Sequence, residues 1–492
     1  MTDRTRPRHP ARAAALSFLF PGLGQAYAGE RWLAALFAIP ILVVVAAAVA
    51  VLVLFADRLR NEVLSSSFLV ALLLLDAVLM VWRLLAIAQV GFARRAAPRP
   101  TGADVALQTR RSPWRDGRAV VVLLLIATIA MHAYLGLVVG QLNTTLEQIF
   151  GGSRTGIGNA RPPAGAALNK PDYHWNGRER VNFLLLGIDS GPGRSEALTD
   201  TILVISVDPV AKTAEMVSIP RDTGYLPLPD TRIYGDGLYP MKINQLSTDA
   251  AADPGRWCPD MVAGDCGLRT LERSVGLYLG ITIQYYATID LRGFAQLIDS
   301  LGGVELCLSH NLIDPGYSGP TWAPRVGIEL PAGCSRYDGA HALAFARIRK
   351  GYMEMPDGSR DYQNDFKRAD RQQQLLLALR REFAAANLVF ELPGLLDAIG
   401  RTVTTDFPRD KVGDIATLLP LITGPEIRRV VLAYPQFVEA PVDPAANYLL
   451  IPKRDAVRAE MQRLFGANLT GWYLGSQAAA PAAVSPDASA SP

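Results

Sequence analysis

The sequence predicts an α/β fold: an extracytoplasmic α/β/α sandwich around a mixed sheet, preceded by an N-terminal transmembrane helical region. Three observations lead there. The long uncharged runs all precede residue 141, all four cysteines follow them, and beyond residue 173 short apolar runs alternate with helically spaced Leu, Ala and Phe. Half of the 492 residues are hydrophobic and 19% are charged, a balance that excludes a wholly disordered chain and fits one that is partly in a membrane.

The membrane region is expected over 1–140. Leu33 to Ala56 carries no charge and Ala119 to Gly140 only His132, so each crosses a hydrocarbon core of about 30 Å as a helix. A third span, about 68–90, holds Asp76 and Arg83, each costing about 2.5–3.5 kcal/mol near mid-membrane. Its Leu, Val and Ala content outweighs them, with Arg83 expected to snorkel and Asp76 to bond a neighbouring helix. Ala13 to Tyr27 is apolar but broken by Pro21-Gly22 and Gly24, and reads as interfacial or re-entrant. Up to Arg118 there are 15 Arg against 7 carboxylates, a net +8; the remainder, 34 cations against 39 carboxylates, is −5. That basic excess lies in the N-terminal tail (Arg4, Arg6, Arg8, Arg12) and in the loop from Arg94 to Arg118. The positive-inside rule therefore places the N-terminus and this loop in the cytoplasm, against membrane lipids, and everything after the third span outside a multi-pass cell-membrane protein. No zinc-finger, basic-zipper or RNA-binding signature accompanies the arginines, so nucleic acid is excluded as a partner.

Residues 141–172, rich in Gly, Ala and Pro from Gly151 to Lys170, read as a flexible linker; 173–475 as the exported domain; and 476–492 as a disordered Ala/Ser/Pro tail. Cys258, Cys266, Cys307 and Cys334 are an even set suited to two disulfides in an oxidising compartment. Of three connectivities, Cys258 with Cys266 and Cys307 with Cys334 close the shorter loops. The spacings lack a C-x-x-C and no His lies nearby, which argues against zinc. Val181–Ile188, Ile202–Val207 and Thr213–Ile219 read as core strands, Leu291–Leu301, Gly339–Ile348 and Lys367–Ala386 as helices, and a strand is expected near Arg429 to Ala433.

Asp189 ends the first strand and Asp200 opens the second, which brings two carboxylates to one sheet edge. With no histidine beside them they form a hard oxygen site suited to Mg²⁺ or Mn²⁺, although acidic residues at strand ends are commonly turn formers. Arg221, on a strand end fixed by Pro220, can aim a bidentate fork at a phosphate or pair with Asp222. Arg347 and Arg349 share a side if their segment is extended, and Arg368, Arg371 and Gln372 share the first turn of a helix. Cations at a helix N-terminus oppose its dipole, so this arrangement calls for an anion among them. The same helix face turns apolar through Leu375 and Leu379, as a lipid phosphate requires. The bland reading is a solvated helix start above an ordinary core stripe.

These residues carry a resemblance. Leu184-Leu-Leu-Gly-Ile-Asp189, Thr199-Asp200-Thr201, Ser218-Ile-Pro-Arg221-Asp222-Thr223, Lys242-Ile243-Asn244, Asp299-Ser-Leu-Gly-Gly-Val304, Asp338-Gly-Ala-His-Ala-Leu343, Ala346-Arg-Ile-Arg349 and Asp365-x-x-Arg368-x-x-Arg371-Gln372 occur in the order seen in the LytR-CpsA-Psr family, over roughly Arg180 to Phe383. The resemblance implies an extracytoplasmic Mg-dependent phosphotransferase that moves a glycosyl phosphate from a polyprenyl diphosphate-linked glycan to a peptidoglycan hydroxyl. By matching motif positions it implies Asp189 and Asp200 as metal ligands. Arg221, Arg347, Arg349, Arg368, Arg371 and Gln372 would then bind the diphosphate substrate, with Asp365, Arg368 and Arg221 as the catalytic set and Asp365 as candidate base.

The chain departs from the family in having Gly191 where an Arg is common, with Arg194 a substitute, in three spans where most members have one, and in the insertion Lys350 to Asn364, a lid or acceptor surface. Two rival functions share the same donor site: a polyprenyl diphosphate phosphohydrolase in which water attacks, and a membrane-tethered lipid-binding regulator without turnover.

Overall fold

The computed structural model describes residues 9–55, 62–92, 117–150, 175, 178–189, 198–259, 266–320, 326–385, 397–400, 402–411, 427–439 and 448–466. The linker expected over 151–170, the tail at 476–492, Gly191 and Arg194 lie outside the described residues, as does the Asp189 side chain. The chain forms two compact units, 1–144 with 409–414, and 145–408 with 415–492.

The first unit opens with α1 (Pro10–Leu19) and α2 (Leu23–Ala28), parted at Gly22, whose φ of 101° is open to glycine and whose missing Cβ would lie 2.6 Å from the Ala34 carbonyl oxygen. Three helices long and apolar enough to cross a membrane follow: α3 (Arg31–Leu54), α4 (Ser66–Phe92) and α5 (Arg118–Phe150). Helix α5 continues ten residues past the expected end at 140, because Leu142, Leu146 and Ile149 keep a helical apolar spacing through the start of the expected linker. Asp76 accepts from or donates to His132 Nδ1 at 2.7 Å, the neighbouring-helix bond expected of it. Arg83 donates to the Phe18 and Leu19 carbonyls, where a cation complements the C-terminal end of α1. The buried Gln25 accepts from Ser17 and donates to the Ala86 carbonyl, fastening α1 and α2 to α4.

The second unit is built on a six-stranded mixed sheet whose strands are, in spatial order, Val403–Thr405, Tyr285–Asp290, Val181–Asp189, Leu198–Asp208, Thr213–Ser218 and Ile427–Val431. The strands β1 (Val181–Asp189), β2 (Leu198–Asp208) and β3 (Thr213–Ser218) form an antiparallel meander. After the short hairpin β4 (Leu226–Pro227) and β5 (Leu238–Tyr239) come α6 (Ile243–Ala252), α7 (Pro254–Trp257) and α8 (Cys266–Leu279). Strand β6 (Tyr285–Asp290) then pairs parallel to β1 and feeds α9 (Leu291–Ser300), capped by Asp290 through the Arg292 and Gly293 amides. Strands β7 (Val304–Leu308), β8 (Leu312–Ser318), β9 (Val326–Leu330) and β10 (Gly333–Tyr337) and helix α10 (Gly339–Arg347) build a second apolar cluster with α9.

The insertion after Arg349 is a hairpin, β11 (Tyr352–Glu354) and β12 (Arg360–Tyr362), which joins β8 and β9 in a four-stranded sheet. It leads directly into α11 (Asp365–Ala385). The main sheet is completed by β13 (Val403–Thr405) and β14 (Ile427–Val431), the latter close to its expected place; β15 (Val438–Glu439), β16 (Ile451–Pro452) and α12 (Arg454–Phe465) follow.

Strand alternation assigns the two faces. Leu184, Leu186, Ile202, Val204 and Val217 pack in one core with Ile243 of α6, Val275 of α8 and Met461 of α12. Leu185 and Leu203, one residue out of phase, face the other way with Phe294 of α9, Leu343 of α10 and Leu375 of α11. Helices thus cover both faces of a mixed sheet. The cysteines pair as Cys258–Cys266 and Cys307–Cys334, the latter across the β7–β10 ladder.

Candidate active site

A β-bulge sets the site. Gly187 pairs with Thr201 and Ile188 with Thr199, so Asp200 is the extra residue of β2. Without it Asp200 would share a face with Ile202 in the core; with it, Asp200 and Thr201 both face the cavity on the opposite side. Gly187 is required here, because a Cβ would come within 2.8 Å of both Thr201 Cβ and Oγ1.

That cavity, about 210 Å³, has an apolar depth made by Leu185, Leu203, Phe294, Leu343 and Leu376 and a mouth made by Asp200, Arg221, Arg347, Arg349, Arg368 and Gln372. Arg347 is the last residue of α10 and Ile348 is its C-cap, so the segment bearing Arg347 and Arg349 is a helix end rather than the extended piece expected; both nonetheless reach the cavity. Arg368 and Gln372, four apart on α11, share its inward face, and Gln372 Nε2 donates to the Ala346 carbonyl at 3.2 Å.

Arg371, also expected among the substrate-binding residues, does not line this cavity. Three positions from Arg368, it is rotated toward α10 and donates to the carbonyls of Phe345 (2.8 Å) and Ile348 and to Gln363 Oε1. Burial, with Arg368 nearby, pushes its pKa down to about 10. It ties α10 to the start of α11.

The remaining charges interlock. Arg221 donates to Asp200 Oδ1 at 2.6 Å, and its Nε lies 3.7 Å from Asp365 Oδ1; Asp222, the alternative partner, pairs instead with Lys242. Arg368 Nη2 lies 3.1 Å from Asp365 Oδ1 and donates to the Asp200 carbonyl at 3.1 Å. Burial works to lower the Arg221 pKa, but Asp200 and Asp365 outweigh it and the net shift is upward. For Arg368 burial wins and the shift is downward. Burial also wins at Asp365, whose pKa is raised in spite of Arg368 and Arg221. The Nε atoms of Arg221 and Arg368 are buried with no hydrogen-bond partner among the described residues. An unpaired buried guanidinium N–H is costly, and here two of them stand beside one cavity that Arg347 and Arg349 also line.

Asp189 ends β1 opposite Leu198, two positions along the neighbouring strand from Asp200. Of the two carboxylates expected to hold a metal, only that of Asp200 is described, and its Oδ1 accepts from Arg221. No cluster of three acidic, His or Cys side chains gathers among the described residues.

Sequence reasoning read the apolar face of α11 through Leu375, which does line the cavity, but missed Thr201 and the apolar walls supplied by other elements. Thr201 stood within a quoted motif, but the slot residues come from five separate elements and left no local signal.

The second unit is thus a mixed-sheet domain whose main cavity is lined by four arginines and by apolar side chains from both the sheet and the helices over it. The LytR_cpsA_psr family pattern matches residues 158–449, more than half of the chain, and the chain belongs to that family. It is 28% identical over 306 residues to the polyisoprenyl-teichoic acid–peptidoglycan teichoic acid transferase TagU of Oceanobacillus iheyensis, covering 62% of this chain and 79% of that protein. It is 32% identical over 223 residues to the cell wall biosynthesis protein LcpA of Corynebacterium glutamicum, covering 42% of this chain and 38% of that one. Among solved structures, TagV of B. subtilis is similar at 22% identity and a TM-score of 0.42, over 58% of this chain and 97% of that one.

Proposed function

We propose that the protein transfers a glycosyl phosphate from a polyprenyl diphosphate-linked glycan to a peptidoglycan hydroxyl, attaching a glycopolymer to the cell wall. The observation that carries this reading is the pair of buried Nε donors of Arg221 and Arg368, which have no hydrogen-bond partner among the described residues, beside a cavity with apolar walls. The slot takes the start of the prenyl chain; Arg221, Arg347, Arg349 and Arg368 hold the diphosphate, and Gln372 adds a neutral contact. Mg²⁺ or Mn²⁺, held by Asp200 with Asp189, supplies further neutralisation of diphosphate charge. Asp365 keeps Arg221 and Arg368 in place and takes the proton of the attacking hydroxyl. The hydroxyl oxygen bonds to the phosphorus nearest the sugar, the P–O bond to the bridging oxygen breaks, and its electron pair departs with polyprenyl phosphate. Phosphoryl transfer of this kind needs positioning and charge stabilisation more than covalent help.

The domain works outside the cell membrane, with the N-terminus and the Arg-rich loop in the cytoplasm. The local basic excess and the two disulfides in the second unit support this orientation.

The test is an assay in detergent with a synthetic polyprenyl diphosphate glycan, Mg²⁺ and peptidoglycan fragments, following lipid phosphate and acceptor mass together. Acceptor gaining a glycosyl phosphate is the expected result. Lipid cleavage with an unmodified acceptor would make the protein a phosphohydrolase, and tight binding without turnover a regulator; either outcome ends the transferase reading.

A further inference from the structure

Beside the arginine cluster, and lining no part of the slot, stands a second group of polar side chains from three distant parts of the chain: Asp222, Lys242 and Tyr448. The backbone brings them together. The Thr223 amide donates to the Pro220 carbonyl at 3.0 Å, closing a turn whose two central residues part company. Arg221 goes to Asp200 and Asp365, while Asp222 meets Lys242 Nζ at 2.9 Å. The first amides of α6 dock on the same turn, Ile243 on the Thr223 carbonyl at 2.8 Å and Asn244 on the Arg221 carbonyl at 3.3 Å, which fixes Lys242 over Asp222. Segment 448–450 runs alongside: the Leu450 amide donates to the Asp222 carbonyl at 2.9 Å and the Gly224 amide to the Leu450 carbonyl at 3.0 Å. Tyr448 is thereby set with its ring 6.0 Å from Lys242 Nζ and 42% of its surface open.

Helix stability does not account for Lys242. It is the N-cap of α6, where Ser, Thr, Asp or Asn would bond the first turn, and its side chain makes no capping bond there. A cation at that end also opposes the helix dipole. Nor does the group resemble the slot chemically. The slot mouth carries an excess of positive charge, whereas Asp222 and Lys242 cancel, leaving a carboxylate acceptor, an ammonium donor, a phenol and an aromatic face. Burial, then the charges of Asp222 and Asp365, push the Tyr448 phenol up, so it stays a proton donor and lies in the field of the candidate base. Hydroxyls that both donate and accept, on a ring with an apolar C–H face, match that combination; a phosphate does not.

We propose that Asp222, Lys242 and Tyr448 form the subsite that holds the sugar ring of the acceptor. This rests on the transfer reading above. In-line displacement requires the attacking oxygen to approach phosphorus from the side away from the leaving polyprenyl phosphate, whose chain occupies the slot. A sugar on Asp222, Lys242 and Tyr448 meets that requirement next to Asp365, outside the slot.

The experiment uses the full chain in detergent with Tyr448→Ala, Tyr448→Phe and Lys242→Gln, thermal melting serving to show each is folded. Donor binding is measured by titration with a short-chain polyprenyl diphosphate, and acceptor use with an uncrosslinked peptidoglycan tetrasaccharide. Tyr448→Ala and Lys242→Gln are expected to raise the acceptor KM about tenfold or more, with donor affinity held and Tyr448→Phe retaining most acceptor affinity. A fall in donor affinity with the acceptor KM unmoved, or no change in either, overturns the subsite. If the wild-type protein transfers nothing, tetrasaccharide binding by saturation-transfer NMR still decides. Binding lost in Tyr448→Ala and kept in Arg368→Ala supports the subsite while the transfer reading fails, and binding indifferent to Tyr448 rejects it.

Discussion

Arg368 and Arg371 lie one helical turn apart on α11, are 5% and 2% exposed, and belong to the same motif, yet they have opposite relations to their surroundings. Arg371 is satisfied by two backbone carbonyls and the Gln363 side chain. Arg368 holds Asp365 and the Asp200 carbonyl and leaves its buried Nε without a partner among the described residues. Similar burial with different satisfaction is the contrast on which the proposed site rests.

The largest effect is expected from Arg368→Ala. Removing a donor aimed at developing charge costs about 10²–10³ in rate. Deleting the guanidinium leaves Asp365 with Arg221 alone and takes a donor from the Asp200 carbonyl, so a loss of about 1–3 kcal/mol is expected in denaturant titration beside the fall in rate. Turnover unchanged in the folded variant would remove Arg368 from the site. Arg371→Met should behave in reverse: it leaves buried carbonyls unpaired at about 1–3 kcal/mol each, lowering stability by roughly 3 kcal/mol in denaturant titration while the folded fraction still binds donor. Loss of donor binding with intact stability would return Arg371 to the substrate.

Asp365 lies between these extremes and brings pH into the comparison. Its folded pKa is raised above the ordinary 3.8 by burial, so the fold favours the neutral acid. The stability this confers is fully present below pH 3.8 and is lost as pH rises through the folded pKa. Asp365→Asn is therefore expected to melt no lower than wild type at pH 7, with the difference shrinking in acid. Transfer, which requires the carboxylate, should fall in the variant, and the acid limb of kcat/KM in the wild type should lie above the usual aspartate range. A limb at or below 3.8 would count against Asp365 as base.

How far the sequence reveals such differences depends on how locally they are encoded. Short apolar runs bounded by turn residues located β1 to β3, and helical spacing located α9, α10 and α11, because those patterns follow from how each element is buried. The Arg residues of the mouth were legible as a set since cations at a helix start have no helical justification. Arg371 faces α10 and not the cavity because a three-residue step rotates a side chain away from its neighbour's direction, and which of two adjacent faces meets a cavity is decided by α10, a separate element. The bulge that turns Asp200 outward is invisible in composition: Thr-Asp-Thr reads equally as a regular strand with Asp200 in the core. Asp299 and Asp338, quoted among the motifs, prove to be structural, accepting from the Gly339 and His341 amides at the start of α10. A motif therefore marks required residues without separating cap from ligand.

Gln372 gives the finest test, since it combines both behaviours. It stands on the inward face with Arg368, lines the cavity mouth, and yet donates to a carbonyl of α10 as Arg371 does. Its bond is neutral and partly open to solvent, a contribution of about 0.5–1.5 kcal/mol, against the charged and buried bonds of its two neighbours. Gln372→Leu should therefore lower kcat/KM by less than about tenfold and stability by about 1 kcal/mol or less. The two losses separate by condition: a donor contact appears as a raised donor KM that saturating lipid restores, whereas a loosened α10–α11 joint lowers the melting temperature with or without lipid. A loss of rate comparable to that of Arg368→Ala would mean that the amide, rather than the guanidinium charge, positions the diphosphate, and the contrast between Arg368 and Arg371 would no longer define the site.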